Sequence, residues 1–163
     1  MAENTTNFAG LQVAAFESRR ATEMAGLIER FGGVPRVSPS MREVAITENR
    51  EAIDFAHHVI TGGIDVIIFM TGVGIRHLLA EVERHIDRQR LLEAISDVIT
   101  IARGPKPVAV LKELGLAPTH RAPEPNTWRE VLATVDAKLN IAQQDVGLIE
   151  YGQPNSSLVA GLE

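Results

Sequence analysis

Short apolar runs alternate along this chain with segments in which apolar residues recur every three or four positions. Apolar runs bounded by turn residues predict β-strands, and the longer period predicts amphipathic helices. Residues 65–70 (DVIIFM) form the clearest run, which is apolar on both faces like a central strand of a parallel sheet. The expected strands are residues 11–16, 34–37, 65–70, 98–102, 146–151 and, as a weak edge strand, 118–121, with an extended stretch at 39–46.

Helical patterns fill the intervals between these strands, and most of them follow a residue that can cap a helix. The expected helices cover residues 19–31, 50–60, 73–85, 87–95, 104–114 and 128–139, with a short last helix at the carboxyl end. The expected caps are Ser18, Asn49, Asn126 or Thr127, and Asn155 or Ser156. Strands that alternate with helices predict an α/β fold with a parallel sheet and helices on both faces.

Composition narrows the classes of function. With 45% hydrophobic residues, 163 residues suffice for one ordinary domain, or one domain and a small piece of another. The net charge of −5 argues against nonspecific binding to DNA or an anionic membrane, and 4% aromatic residues are too few to stack single-stranded nucleic acid. The absence of cysteine excludes disulfides and thiolate chemistry and suits a cytoplasmic location. No apolar run approaches the roughly 20 residues of a membrane span, and residues 1–10 do not resemble a signal peptide.

Ligands of an open parallel sheet bind beyond the carboxyl ends of the strands, so the loops from strand to helix are the candidate sites. After the first strand, Ser18, Arg19 and Arg20 offer a hydroxyl, backbone N–H groups and two guanidinium groups to an anion. The alternative is an ordinary helix cap with solvated arginines. This loop is therefore a candidate anion site with a plain structural alternative.

Two glycines follow the central strand in the segment TGVGIR. Gly72 and Gly74, beside Thr71, would let a ligand approach the backbone and the N–H groups of the next helix. A tight turn is the alternative. The segment is not the dinucleotide-binding fingerprint, because His77 replaces the third glycine, and no Gly-Lys-Ser/Thr of a Walker loop occurs in the chain.

Two later loops combine helix starts with polar groups. Arg103, Gly104 and Lys106 lie in ARGPKP, where Gly-Pro favours a helix start and two cations lie near its positive end. Asn126 and Thr127 offer donors at the start of another helix. In each case the alternative is a helix start whose polar groups serve only the fold.

The last strand leads into EYGQPN, which contains the only tyrosine of the chain. The Tyr151 hydroxyl would lie at the carboxyl edge of the sheet as a donor or weak acid, or else Tyr151 is an amphipathic side chain at the rim. A metal site is not expected. His57 and His58 are adjacent and cannot share a helix face, and His77 and Glu81 lack a third ligand nearby in the sequence.

Together, the segments FESRR, TGVGIR, ARGPKP and EYGQPN resemble bacterial uroporphyrinogen-III synthase in their order and spacing, over about residues 10–163. The resemblance implies two flavodoxin-like, doubly wound α/β domains and a cytoplasmic, cofactor-free lyase of tetrapyrrole (heme) synthesis. Its substrate would be hydroxymethylbilane, a linear tetrapyrrole that carries acetate and propionate groups. The enzyme closes this chain into uroporphyrinogen III with inversion of ring D, as water leaves and a spiro intermediate forms.

The resemblance also assigns roles to residues. Tyr151 would be a general acid or a binding group. Helix N-termini would bind the carboxylates of the substrate without a strongly basic protein. The implied substrate-binding positions are Thr71, Gly72, Gly74, Arg103, Gly104, Lys106, Asn126, Thr127 and Gly152, which Ser18, Arg19 and Arg20 would face from the other domain.

The resemblance implies that residues 1–37 begin the first domain and residues 38–163 form the second, with a break near residues 38–41. The segment that returns to the first domain is missing, so we expect a truncated chain with impaired turnover, whose last helix is either docked on the sheet or cut short. The family is monomeric, but dimerisation or domain exchange would cover apolar positions in residues 11–16 and 27–31.

Two other classes of function are alternatives to this reading. The first is a non-catalytic binding or regulatory module of flavodoxin or receiver type, although Thr71 and Gly72 stand where a receiver would carry its phosphorylated aspartate. The second is a nucleotide-binding oxidoreductase domain, which the missing third glycine and the position of the segment in the sheet disfavour.

Overall fold

The computed structural model describes residues 7–39 and 49–163, and the chain divides into two compact units at residues 1–47 and 48–163. The predicted extended stretch at 39–46 and the predicted break near 38–41 lie mostly outside the described residues. Among the residues that are described, none of the helices combines the length and the apolar character that crossing a bilayer requires.

The first unit is a single β-α-β crossover. Strand β1 (Gln12–Ala15) leads through helix α1 (Ala21–Arg30) to β2 (Val34–Val37), and the two strands pair in parallel. Ile28 is the only buried residue in the described part of this unit, whereas Phe16 is 72% exposed. A two-stranded sheet with one covering helix therefore buries little of its own apolar surface.

Helix α1 differs from the predicted helix over residues 19–31 in where it begins and in how its start is capped. It begins at Ala21 rather than at Arg19, its N-cap position is Arg20, and no side chain forms the cap hydrogen bond. The carboxylate of Glu17 accepts hydrogen bonds from the backbone N–H groups of Arg19 and Arg20, at 3.0 and 3.1 Å. The turn before the helix is thus closed by Glu17, and the predicted cap at Ser18 is wrong.

The second unit contains all remaining elements, in an alternation of strands and helices. Its strands are β3 (Val66–Phe69), β4 (Ile99–Ala102), β5 (His120–Arg121) and β6 (Val146–Ile149). Its helices are α2 (Arg50–Ile60), α3 (Gly72–Val82), α4 (Arg88–Ser96), α5 (Pro105–Glu113), α6 (Trp128–Lys138) and α7 (Ser156–Leu162). The predicted strands and helices of this region are all present, with ends that differ by up to three residues.

The four strands of the second unit form one parallel sheet in the order β5-β4-β3-β6. All four residues of β3 are buried, as its apolar run predicts. Ile67 and Phe69 belong to the core cluster on one face of the sheet, and Val66 and Ile68 belong to the cluster on the other face. The predicted α/β fold with a parallel sheet and helices on both faces is confirmed.

Helix caps fix where several of these helices begin. The Asn49 side chain accepts from the N–H of Ala52 at the start of α2, and the Asn155 side chain accepts from the N–H of Leu158 at the start of α7. The side chain of Leu158 is completely buried in the second core cluster. The short last helix is therefore docked on the core.

Candidate functional site

The candidate site of the second unit lies at the carboxyl edge of its sheet. Backbone hydrogen bonds between neighbouring strands continue to this edge: the N–H of Met70 donates to Ile149, that of Arg103 to Phe69 and that of Ala122 to Ala102, each at 3.0 Å. Since all four strands are parallel, their last residues lie side by side. The structure therefore brings the strand-end segments that the sequence singles out in this unit to one edge.

The direction of chain winding reverses at β3. Strands β4 and β5 follow on one side of β3, whereas β6 lies on the other side. A doubly wound sheet has its crevice at such a reversal, between the loops that leave the two strands. Here those loops follow Phe69 of β3 and Ile149 of β6, and they contain Thr71 and Tyr151, respectively.

Gly72 and Gly74 are both buried in the first turn of α3. The Thr71 hydroxyl accepts from the N–H of Gly74 at 2.9 Å and so caps the helix. A Cβ atom on Gly72 would lie 2.8 Å from Val110 Cγ2, and one on Gly74 would lie 2.5 Å from the backbone oxygen of Glu150. Close packing against α5 and the end of β6 thus requires both glycines, and their contact with a ligand remains a prediction.

The N-terminus of helix α5 has cationic side chains nearby but few free backbone N–H groups. Gly104 is its N-cap position, and Pro105 and Pro107 both lack an N–H, so the first three helical residues offer only the N–H of Lys106. Lys106 is exposed and Arg103 is half-buried. Within the parts of the chain that the structure describes, neither side chain forms a salt bridge with a carboxylate.

Asn126 and Thr127 differ in what they can still bind. Thr127 and Glu130 form a capping box, in which the Glu130 carboxylate accepts from the N–H and the hydroxyl of Thr127. Both hydrogen bonds lower the pKa of Glu130, and the one from the hydroxyl has the larger effect. Asn126 has a left-handed backbone (φ 62°), and its buried Oδ1 has no hydrogen-bond partner among the described residues. A Cβ atom on Gly104 would lie 2.8 Å from this Oδ1.

Tyr151 contacts His77, and the sequence analysis does not predict this contact. Its ring stacks on the imidazole of His77, with 5.0 Å between ring centroids and 16° between ring planes. Gly152 follows in a left-handed conformation (φ 87°), which glycine adopts without steric cost. The one sequence signal for this contact is the three-residue spacing from Gly74 to His77, which places both on the same side of α3.

The remaining candidates, Ser18, Arg19 and Arg20, lie in the first unit. The backbone N–H groups of Arg19 and Arg20 are already used by Glu17, and the Arg20 side chain forms an exposed salt bridge with Glu23 at 3.6 Å. Their role in binding an anion stays a prediction. Among residues 7–39 and 49–163, no three His, Asp or Glu side chains come close enough together to hold a metal ion.

A family model and solved structures that are similar to this chain point to the same family. The family model for uroporphyrinogen-III synthase HemD matches residues 22–163. The crystal structure of the wild-type uroporphyrinogen III synthase from the extremely thermophilic bacterium Thermus thermophilus is similar, with 27% sequence identity and a TM-score of 0.65. A mutant selenomethionine form of that enzyme gives 26% identity and a TM-score of 0.71. In both cases 94% of this chain is covered.

A curated relative is the uncharacterized protein YjjA of Bacillus subtilis (strain 168), which is 28% identical over 154 residues. That match covers 94% of this chain and 56% of the relative. The chain likewise spans 56% and 57% of the two T. thermophilus chains. It therefore corresponds to a little over half the length of the proteins that it resembles.

Proposed function

Because this chain belongs to the uroporphyrinogen-III synthase family, we propose that it acts in the ring closure of hydroxymethylbilane to uroporphyrinogen III, as a cyclising lyase. The observation that carries this proposal is the family match over residues 22–163. Since the chain spans 56% of its curated relative, we expect its turnover to be weaker than that of a full-length synthase. A cytoplasmic location belongs to the same proposal and agrees with a sequence that has no cysteine.

The cations at the sheet edge suit the proposed substrate. Hydroxymethylbilane carries acetate and propionate carboxylates, and Arg103 and Lys106 lie where β4 meets α5. The positive end of the helix dipole adds to their charge, although the two prolines leave one backbone donor in the first turn. Two cations thus lie at the proposed binding edge of a protein whose net charge is −5.

The proposed reaction requires few catalytic side chains. A pyrrole nitrogen supplies the electron pair that expels the hydroxyl of the hydroxymethyl group, so the protein mainly has to fold and orient the substrate. A proton must reach the departing hydroxyl, which leaves as water, and no oxidant or reductant takes part. We assign this proton donation to Tyr151, whose position after β6 at the sheet reversal supports the assignment.

The role of the cations is tested by a double variant, Arg103→Gln with Lys106→Gln. Bilane is generated fresh, and the initial rate of formation of the type III isomer is followed against its concentration. A charge-assisted hydrogen bond contributes about 1.5–3 kcal/mol, so losing one or both contacts should raise the apparent KM by about 10-fold or more. The matched control is Lys112→Gln, which removes an exposed cation from the last turn of the same helix. Equal KM values for the double variant and this control would contradict the proposed binding edge.

A further inference from the structure

We propose that His77 is the positioning residue for Tyr151: its imidazole holds the phenol ring at the sheet reversal and so sets the direction of the hydroxyl. This inference rests on the proposed function, because the group that His77 positions is the proton donor of the proposed reaction. The observation behind it is the stacked pair itself, with ring centroids 5.0 Å apart and ring planes 16° from parallel. The centroid distance lies in the favourable range for aromatic pairs, and the nearly parallel planes make this pair stacked rather than edge-to-face.

The sequence of α3 explains why the imidazole lies there. Side chains on a helix lean towards its N-terminus, so the side chain of His77 extends over the turn that contains Gly74. Gly74 packs so closely on the backbone oxygen of Glu150 that no Cβ atom would fit. The first turn of α3 and the end of β6 are therefore in contact, and the imidazole reaches the next residue along, Tyr151.

The two rings differ in how firmly their backbones are held. His77 is exposed, but its neighbours Ile75, Leu78 and Leu79 on α3 are all buried in the first core cluster. Tyr151 lies outside any strand or helix, and Gly152 follows it in a left-handed turn. The imidazole therefore extends from a backbone that is anchored in the core and packs on a ring whose own backbone lies in a loop.

The orientation of the Tyr151 ring can be measured by NMR without an activity assay, because Tyr151 is the only tyrosine of the chain. In protein labelled with ¹³C-tyrosine, a single set of ring resonances reports the ring current of the stacked imidazole. His77→Leu should move these resonances towards their values in a short peptide, whereas His77→Phe, which keeps a flat ring, should leave them displaced. His85→Leu, at an exposed histidine beyond the end of α3, should change nothing.

The functional readout is the split between kcat and KM for type III formation. His77→Leu should lower kcat by about 2- to 12-fold, which is the range expected for losing an aromatic pair, and should leave KM nearly unchanged. His77→Phe should restore most of the loss. If His77 had only a structural role, His77→Leu would instead lower the unfolding midpoint, which the fluorescence of Trp128 reports. In that case His77→Phe would not selectively restore kcat.

Two results would overturn the inference. The first is a set of Tyr151 resonances that is identical in the wild type and in His77→Leu. The second is a displaced set in His77→Phe with kcat as low as in His77→Leu. If the wild type forms no type III isomer, the proposed function fails instead. In that case the Tyr151 resonances of the three proteins without bilane still decide the positioning: they should be displaced in the wild type and in His77→Phe but not in His77→Leu.

Discussion

Replacing Gly74 by alanine tests how tightly α3 and the end of β6 are packed. The new Cβ atom would lie 2.5 Å from the backbone oxygen of Glu150 and 3.0 Å from the hydroxyl oxygen of Thr71. Neither atom can rotate away at little cost, because the first belongs to the main chain and the second accepts the capping hydrogen bond of α3. The helix start and the β6 end must therefore move apart in this variant.

The expected cost follows from two opposing effects. Overpacking of a well-packed site costs about 1–3 kcal/mol. Alanine in place of glycine favours a helix by up to about 1 kcal/mol, and by less in the first turn, where Gly74 lies. The net effect should be a loss of about 1–2 kcal/mol in the free energy of unfolding of the second unit, which corresponds to a fall of about 0.5–1 M in the urea midpoint.

Urea unfolding followed by tryptophan fluorescence measures this change, because Trp128 is the only tryptophan and lies in the second unit. The control is Gly63→Ala in the same unit, whose new Cβ atom would meet nothing closer than 3.5 Å. That variant should change the free energy of unfolding by no more than about 0.5 kcal/mol. A Gly74→Ala protein as stable as the wild type would refute the close packing described for α3 and β6.

Two further predictions concern the core and a helix cap. Leu111→Ala removes a side chain that is 1% exposed in the first core cluster, and should cost about 2–5 kcal/mol by the same urea assay; a loss below about 1 kcal/mol would contradict its packing. Glu130→Gln removes the carboxylate of the capping box. Because the pKa of Glu130 is lowered from 4.5 in the folded chain, its contribution is present above pH 4.5 and is lost as the pH falls through the lowered value. Thermal unfolding across this range should show the difference between wild type and variant shrinking with falling pH, and a constant difference would refute this role.

Local sequence signals predict much of the second unit. The run of apolar residues in β3 is long enough to mark a strand buried on both faces, and Asn49 and Asn155 cap their helices as their types suggest. These features depend on neighbours within a few positions. The family resemblance that the strand-end segments suggest is confirmed by the family match, which does not favour the binding-module alternative.

Features that depend on competition or on distant contacts could not be predicted in this way. The cap at Ser18 is wrong because Glu17, one residue earlier, supplies a stronger acceptor to the same turn. Gly74 suggests an approach for a ligand, but the atom that approaches it is the backbone oxygen of Glu150, which is 76 positions away in the chain. The stack of His77 on Tyr151 follows from that contact, so it could not be read from either segment alone.

The most direct test of the proposed function is a single-turnover reaction, with the wild-type chain in excess over freshly generated hydroxymethylbilane. The products are oxidised to uroporphyrins, and the type I and type III isomers are separated and counted. Because the protein is in excess, even slow turnover by this chain registers. We predict a type III fraction clearly above that of a reaction without protein. A type III fraction equal to that of the protein-free reaction would contradict synthase activity of this chain.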